Sequence, residues 1–223
     1  MLVTAKRQVR GLTLIELMVT VVILVMLLLG VGPSVSAWVR NTQVRNVASS
    51  MLAGLNRARN EAMRRNVPVR FSLVSLADSA LMDGSCALSG AGVSWVVSVR
   101  DPTGNCQVVP VQITNAAAYD AAFADAANPL IVESSAGGVG GKSVVVAAKV
   151  ADGSAAANTV TFSSFGRITD GAPIAFINVS NEGGGNDFRR LRIELGAGGT
   201  VRMCDLGVAV ATDPRYCPTR AIQ

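Results

Sequence analysis

The chain predicts an α+β fold: one long N-terminal helix packed on antiparallel β-sheets. Three observations predict it. No charged side chain stands between Leu17 and Val39. Apolar residues then recur at helical spacing as far as Met63. From Val67 onward the pattern changes to short alternating apolar runs, parted by Gly, Pro, Asn and Asp, which is how strands and turns read. The 223 residues divide accordingly into a leader 1–11, a membrane-length helix 12–39, its amphipathic continuation 40–66 and a β-rich globular domain 67–223.

The first helix begins behind a short basic segment. Lys6, Arg7 and Arg10 lead into Gly11-Leu12-Thr13-Leu14-Ile15-Glu16. Residues 12–39 would span about 40 Å as helix, enough to cross a bilayer. Glu16 sits at the mouth of that run, where an unpaired carboxylate is costly in lipid and needs a partner. An α-amine, freed by a cut after Gly11, would serve. Gly30, Gly32 and Pro33 weaken the helix near its outer end. A secretory signal peptide also has a basic start and an apolar core, and Ser34-Val35-Ser36-Ala37 offers small residues for its removal. Two features oppose that reading: Glu16 is out of place beside a disposable core, and the helical pattern continues beyond Ala37.

In the continuation, Val44, Val47, Ala48, Met51, Leu52, Leu55, Ala58, Ala62 and Met63 form the apolar stripe, expected to face a sheet. Arg40, Arg45, Arg57, Arg59, Arg64 and Arg65 mainly take the other positions, expected to be a solvated face. Arg57, Glu61 and Arg65 are spaced four apart and can pair. Asn66 and Pro68 end the helix. Strands are predicted over 67–76, 93–100, 106–113, 130–133, 143–150, 159–163, 174–179, 191–195 and 201–204, with 106–113 paired to 93–100 across a Pro-Thr-Gly-Asn turn. The alanine-rich 115–128 reads as a loop or a short helix.

Composition narrows the chemistry. Twenty basic residues against 15 acidic give +5. Three of the positives, Lys6, Arg7 and Arg10, belong to the leader; without them the 20 become 17 and the balance falls to +2. The basic leader reads as a segment kept on the cytoplasmic side. The chain has no histidine, so the commonest general base and metal ligand is missing. Cys86, Cys106, Cys204 and Cys217 have no CxxC spacing; in an exported domain they read as two disulfides. Three pairings are open, and sequence order favours Cys86–Cys106 and Cys204–Cys217.

Two further segments resemble ligand sites. Ala136-Gly137-Gly138-Val139-Gly140-Gly141-Lys142-Ser143 fits a relaxed phosphate loop, but the following Ser143-Val144-Val145-Val146 reads as strand where such a loop needs a helix, so a hairpin loop is expected. Asp78, Asp83 and Asp101 lie near two of the cysteines and read as solvated loop acids. No cofactor, no metal site and no catalytic residue is expected, and the chain does not read as an enzyme.

Gly11-Leu12-Thr13-Leu14-Ile15-Glu16-Leu17 resembles the processing signal of type IV pilins and pseudopilins. Asn60-Glu61-Ala62-Met63-Arg64-Arg65-Asn66, the segments 159–167 and 190–193, and Gly199-Thr200-Val201-Arg202-Met203-Cys204 are similar to the GspH/FimT/FimU group of minor pilins. The resemblance covers residues 11 to about 71 and 159 to 217; about 77 to 158 carries no recognisable motif of the family. It departs at Leu12, where the family usually has Phe. It implies a pilin-like fold, a bend or melted stretch at Pro33, cleavage between Gly11 and Leu12 by a prepilin peptidase, N-methylation of Leu12, and an assembly role for the retained Glu16. The implied partners are other pilins or pseudopilins through helix bundling, the prepilin peptidase, an inner-membrane assembly platform and membrane lipid. The implied location is the inner membrane, single-pass, with the globular domain periplasmic.

Within that family three functions are expected to compete: a type IV pilus subunit of the FimT/FimU kind, a type II secretion pseudopilin of the GspH kind, and a DNA-binding minor pilin. For the last, the family's Gly-Arg-x-Arg motif corresponds to Gly199-Thr200-Val201-Arg202, which lacks its first arginine. Arg189, Arg190, Arg192, Arg215 and Arg220 would replace it if they cluster, and Arg192, Arg202, Arg215 and Arg220 are the candidate DNA contacts.

Overall fold

The computed structural model describes residues 11, 13–110, 120, 122–138, 143–184 and 188–218, without the side chains of 29–34. Lys6, Arg7, Arg10, Leu12, Arg220 and residues 111–113 of the expected 106–113 strand lie outside the described residues.

Helix α1 runs over Leu14–Arg65, 52 residues. Thr13 starts it: its hydroxyl accepts the Glu16 N–H (3.3 Å) and its carbonyl accepts the Leu17 N–H (3.1 Å). Thr13 and Glu16 have the spacing of a capping box. No melted stretch at Gly30–Pro33 interrupts the helical assignment. Asn66 stops it with φ +55°, a left-handed cap that asparagine tolerates better than most residues.

The chain divides into two compact units, Met1–Val39 and Arg40–Gln223. In the first, the large apolar side chains described from Leu14 to Leu28 are all exposed. Among the described residues no helix is long and apolar enough to cross a membrane.

In the second unit, two antiparallel sheets share a core with α1. One sheet joins β2 (Ala87–Leu88), β1 (Val69–Ser75), β3 (Ser94–Ser98) and β4 (Ile131–Ser135) in that order, with β6 (Thr159–Phe162) also on β1. The other has the order β5 (Val144–Lys149), β7 (Phe176–Asn181), β8 (Leu191–Leu195), β9 (Val201–Asp205). Val44, Ala48, Met51, Leu55, Ala58 and Ala62 of α1 are fully buried with Phe71, Val97, Phe162, Ile177 and Ile193. Their spacing alternates four and three, the period of one helix face. Val47 and Leu52 are partly buried beside them, and Met63 lies at the exposed edge.

A second, smaller cluster lies apart from this core: Val74, Cys86, Val96, Cys106 and Ile131, with Leu76, Met82, Leu88 and Val108 against it. It explains why all five residues of β3 are buried, where simple alternation predicts one covered face.

Three expectations are corrected. Residues 106–110 form turns and irregular chain, not a strand, and β3 pairs with β1 and β4 instead. Cys106 and Val108 are apolar because they pack on the second cluster, not because they belong to a ladder. The glycine-rich segment after β4 is not a hairpin loop, since β4 and β5 belong to different sheets.

Candidate functional site

The chemistry-bearing residues fall into a stem and a braced seam. On the stem, Glu16 is in the first turn of α1, where a negative charge complements the helix dipole. It is exposed, Leu14, Ile15, Leu17 and Met18 around it are exposed too, and among the described residues its carboxylate has no partner. Gly11 is exposed just ahead. An ionised acid standing among unburied apolar side chains is unfavourable alone, and becomes favourable when a cation and more apolar surface arrive together.

The seam fixes α1 on the domain. Gly54 leaves room for two rings: a Cβ there would lie 2.9 Å from both the Phe71 and Trp95 rings, which stack with centroids 5.8 Å apart. Trp95 Nε1 donates to Ser50 Oγ at 3.0 Å, so the buried indole N–H is satisfied. Arg59 Nε donates to Gly166 O at 3.2 Å. Ser143 Oγ donates to Gln43 Oε1 at 2.7 Å.

At the end of α1, Glu61 is 2 % exposed and gathers three arginines. Arg64 Nη2 and Arg65 Nε each lie 2.7 Å from Oε2, and Arg57 Nη2 lies 3.4 Å from Oε1. Arg57 also reaches Glu133 of β4 at 3.4 Å. Burial alone pushes the Glu61 carboxyl up; the hydrogen bonds from Arg64 and Arg65 and the charges of Arg65 and Arg57 outweigh it and hold it below its usual value. The expected solvated arginine face is therefore wrong at Arg65, whose side chain is 5 % exposed. Its spacing to Glu61 was the signal available in the sequence.

Three of the candidate DNA contacts are engaged elsewhere, and Arg220 lies outside the described residues. Arg192 Nε donates to Asn178 Oδ1 at 2.8 Å and its guanidinium lies 4.5 Å from the centre of the Phe176 ring. Arg202 Nη2 is 2.6 Å from Glu194 Oε2, and Arg215 Nη2 is 2.8 Å from Asp213 Oδ2. The hydrogen bonds from Arg215 hold Asp213 down to about 2. Gly199 of the motif is needed by the backbone, since its φ is +79° and a Cβ there would collide with Gly166 O.

Cys86 is joined to Cys106 and Cys204 to Cys217, and no described cysteine is free. Asp78, Asp83 and Asp101 each accept the N–H of the residue two positions on, in separate turns. Among the described residues no group of three or more His, Cys, Asp or Glu could hold a metal ion. Ser143 is followed directly by β5, so the glycine-rich segment lacks the helix a phosphate loop needs.

A helix entered through an acid-bearing apolar stem and packed on antiparallel sheets defines a pilin-like subunit. Residues 6–32 match the prokaryotic N-terminal methylation motif, and residues 47–199 match the family described as type II transport protein GspH, a match that extends through 77–158, where the sequence carries no recognisable motif. The chain belongs to that GspH family, a group of minor pilins and pseudopilins. The family is structural rather than enzymatic; its members are membrane-anchored, carry a periplasmic globular domain and assemble with other pilin-like subunits. Two crystal structures of the type IV minor pilin FimU of Pseudomonas aeruginosa (strain PAO1) are similar at 15 % identity: one at TM-score 0.37 over 71 % of this chain and 90 % of that one, the other at 0.38 over 73 % and 88 %. No curated protein matches the chain.

Proposed function

We propose that this chain is a minor subunit of a type IV pilus. A prepilin peptidase cuts between Gly11 and Leu12 and methylates Leu12. The stem then waits in the inner membrane, single-pass, with the globular domain in the periplasm. An assembly platform passes the subunit into the filament, where stems bundle. On assembly Glu16 pairs with the N-terminal amine of a neighbour, and each charge lowers the other's cost of burial. The observation that carries this reading is Glu16 itself, exposed and, among the described residues, unpartnered between exposed apolar side chains. Glu16→Ala is expected to be processed and inserted normally but to be missing from sheared filaments. Equal incorporation of the variant would defeat the pairing.

The type II secretion reading is favoured by one observation, the name of the matched family. Whether neighbouring genes encode a pilus minor-subunit cluster or a secretion operon separates the two. The DNA reading has less support, because Arg202 and Arg215 are each neutralised by a carboxylate. A duplex shift at low salt that Arg202→Ala weakens would restore it.

A further inference from the structure

A cleft of about 430 Å³ opens in the second unit, lined by Asn41, Phe188, Arg189, Arg190, Asp205 and Gly207 among others. Its walls come from the first turn of the unit's helical part, the segment before β8, and the turn after β9. They are tied together. Asn41 Oδ1 accepts the Arg189 N–H at 2.7 Å, and Arg190 O accepts the Leu206 N–H at 2.8 Å. Asp205 Oδ1 accepts the Gly207 N–H at 2.9 Å, so the one acid of the lining is turned into its own loop. Arg40 stands over Phe188, 5.7 Å from the ring centre.

The charge here is lopsided. Arg189 and Arg190 are exposed, and among the described residues neither guanidinium has a carboxylate partner. They differ in this from Arg57, Arg64, Arg65, Arg202 and Arg215, all of which are paired with acids. Two lining arginines on a concave wall, with Arg40 over Phe188 beside them, suit an anion with several oxygen acceptors, such as a phosphodiester. The position in the chain selects the source. Asn41 lies two residues beyond the last residue of the uncharged run 17–39. A chain whose run lies in lipid delivers Asn41 to the headgroup layer.

We infer that this cleft binds the phosphate headgroup of an anionic phospholipid, with Arg189 and Arg190 as its principal ligands and Arg40 beside them. The inference rests on the membrane-held subunit described above. A small concavity fits one headgroup better than the long groove that a nucleic acid duplex requires.

The test uses the full chain in lipid nanodiscs. Incorporation into phosphatidylcholine discs is measured first; a chain that does not enter them defeats the membrane-held reading and this inference with it. Phosphatidylglycerol is then added to the discs, and lipid retained on the ejected chain is counted by native mass spectrometry. Phosphatidylglycerol is expected to be retained in preference to phosphatidylcholine. Arg189→Gln with Arg190→Gln is expected to cut that preference roughly thirtyfold, from the usual contribution of two basic side chains at an anionic surface. Arg167→Gln, an exposed arginine beside Gly166 at the Arg59 end of α1, leaves it unchanged. Both cleft residues are exposed, and an unaltered melting temperature confirms that the double variant folds. Equal retention of the two lipids, or a preference that survives the double change, overturns the inference while leaving the subunit reading standing. So does displacement of phosphatidylglycerol by millimolar inorganic phosphate or by a DNA duplex, which would give the cleft to a soluble anion or a nucleic acid.

Discussion

Arg65 Nε lies 2.7 Å from Glu61 Oε2, and both side chains are almost wholly out of water. The pair closes the last turn of α1, and Arg57 carries it across to Glu133 on β4. The end of the helix is thus fastened to the sheet by charge where the middle is fastened by packing.

Removing one member of a buried pair strands the other. Glu61→Ala is expected to cost about 3–5 kcal/mol, since Arg65 would keep its burial without its counter-charge. Urea unfolding of wild type and variant gives the difference. The pH dependence has a fixed sign. The Glu61 carboxyl is held below its ordinary value near 4.5, so its contribution is fully present above that value and is lost as pH falls through the lower, folded one. Stability of the wild type should drop on acidification below about pH 4.5, and Glu61→Gln should remove that part of the drop.

Gly54 predicts the opposite kind of failure, too much volume. Leucine is a better helix former than glycine, so Gly54→Leu would stabilise an isolated helix. In the protein it meets the Phe71 and Trp95 rings at once. Overpacking is expected to win, with a net loss of about 1–3 kcal/mol read from the denaturation midpoint.

Gly199→Ala should be worse than its size suggests. The φ of +79° is strained for any L side chain, and the new Cβ would fall on the Gly166 carbonyl. A lower melting temperature, with Arg202→Ala as a milder comparison, would show that the motif's glycine serves the fold.

The two cross-links should separate in their effects. Replacing both Cys204 and Cys217 by serine frees a loop of sequence separation 13, worth about 3 kcal/mol in the chain-entropy model. Losing Cys86–Cys106 removes a similar entropy term and also cuts two members out of the second cluster. The second double variant should therefore be the less stable, as calorimetry on each would show.

Much of this was legible in the sequence. The four-three alternation from Val44 to Ala62 and the alternating apolar residues of β1 and β8 express local geometry, and local geometry is what spacing records. What failed depended on distant chain. Cys106 and Val108 read as strand because they alternate, yet their burial comes from the far side of the first sheet. Arg65 read as solvated because its spacing from Glu61 records the pair but not the burial of both side chains. The cleft is assembled from residues 41, 188–190 and 205–208, and the Arg189-Arg190 doublet was its only trace.

The two indoles stand at opposite extremes: Trp38 is 69 % exposed in the first unit and Trp95 is 3 % exposed in the core of the second. They are the chain's only tryptophans. One fluorophore therefore watches the surroundings of the stem while the other watches the integrity of the domain. Trp38→Phe and Trp95→Phe would split the emission into two independent gauges, so that insertion, polymerisation and unfolding can be followed in the same cuvette without a foreign label.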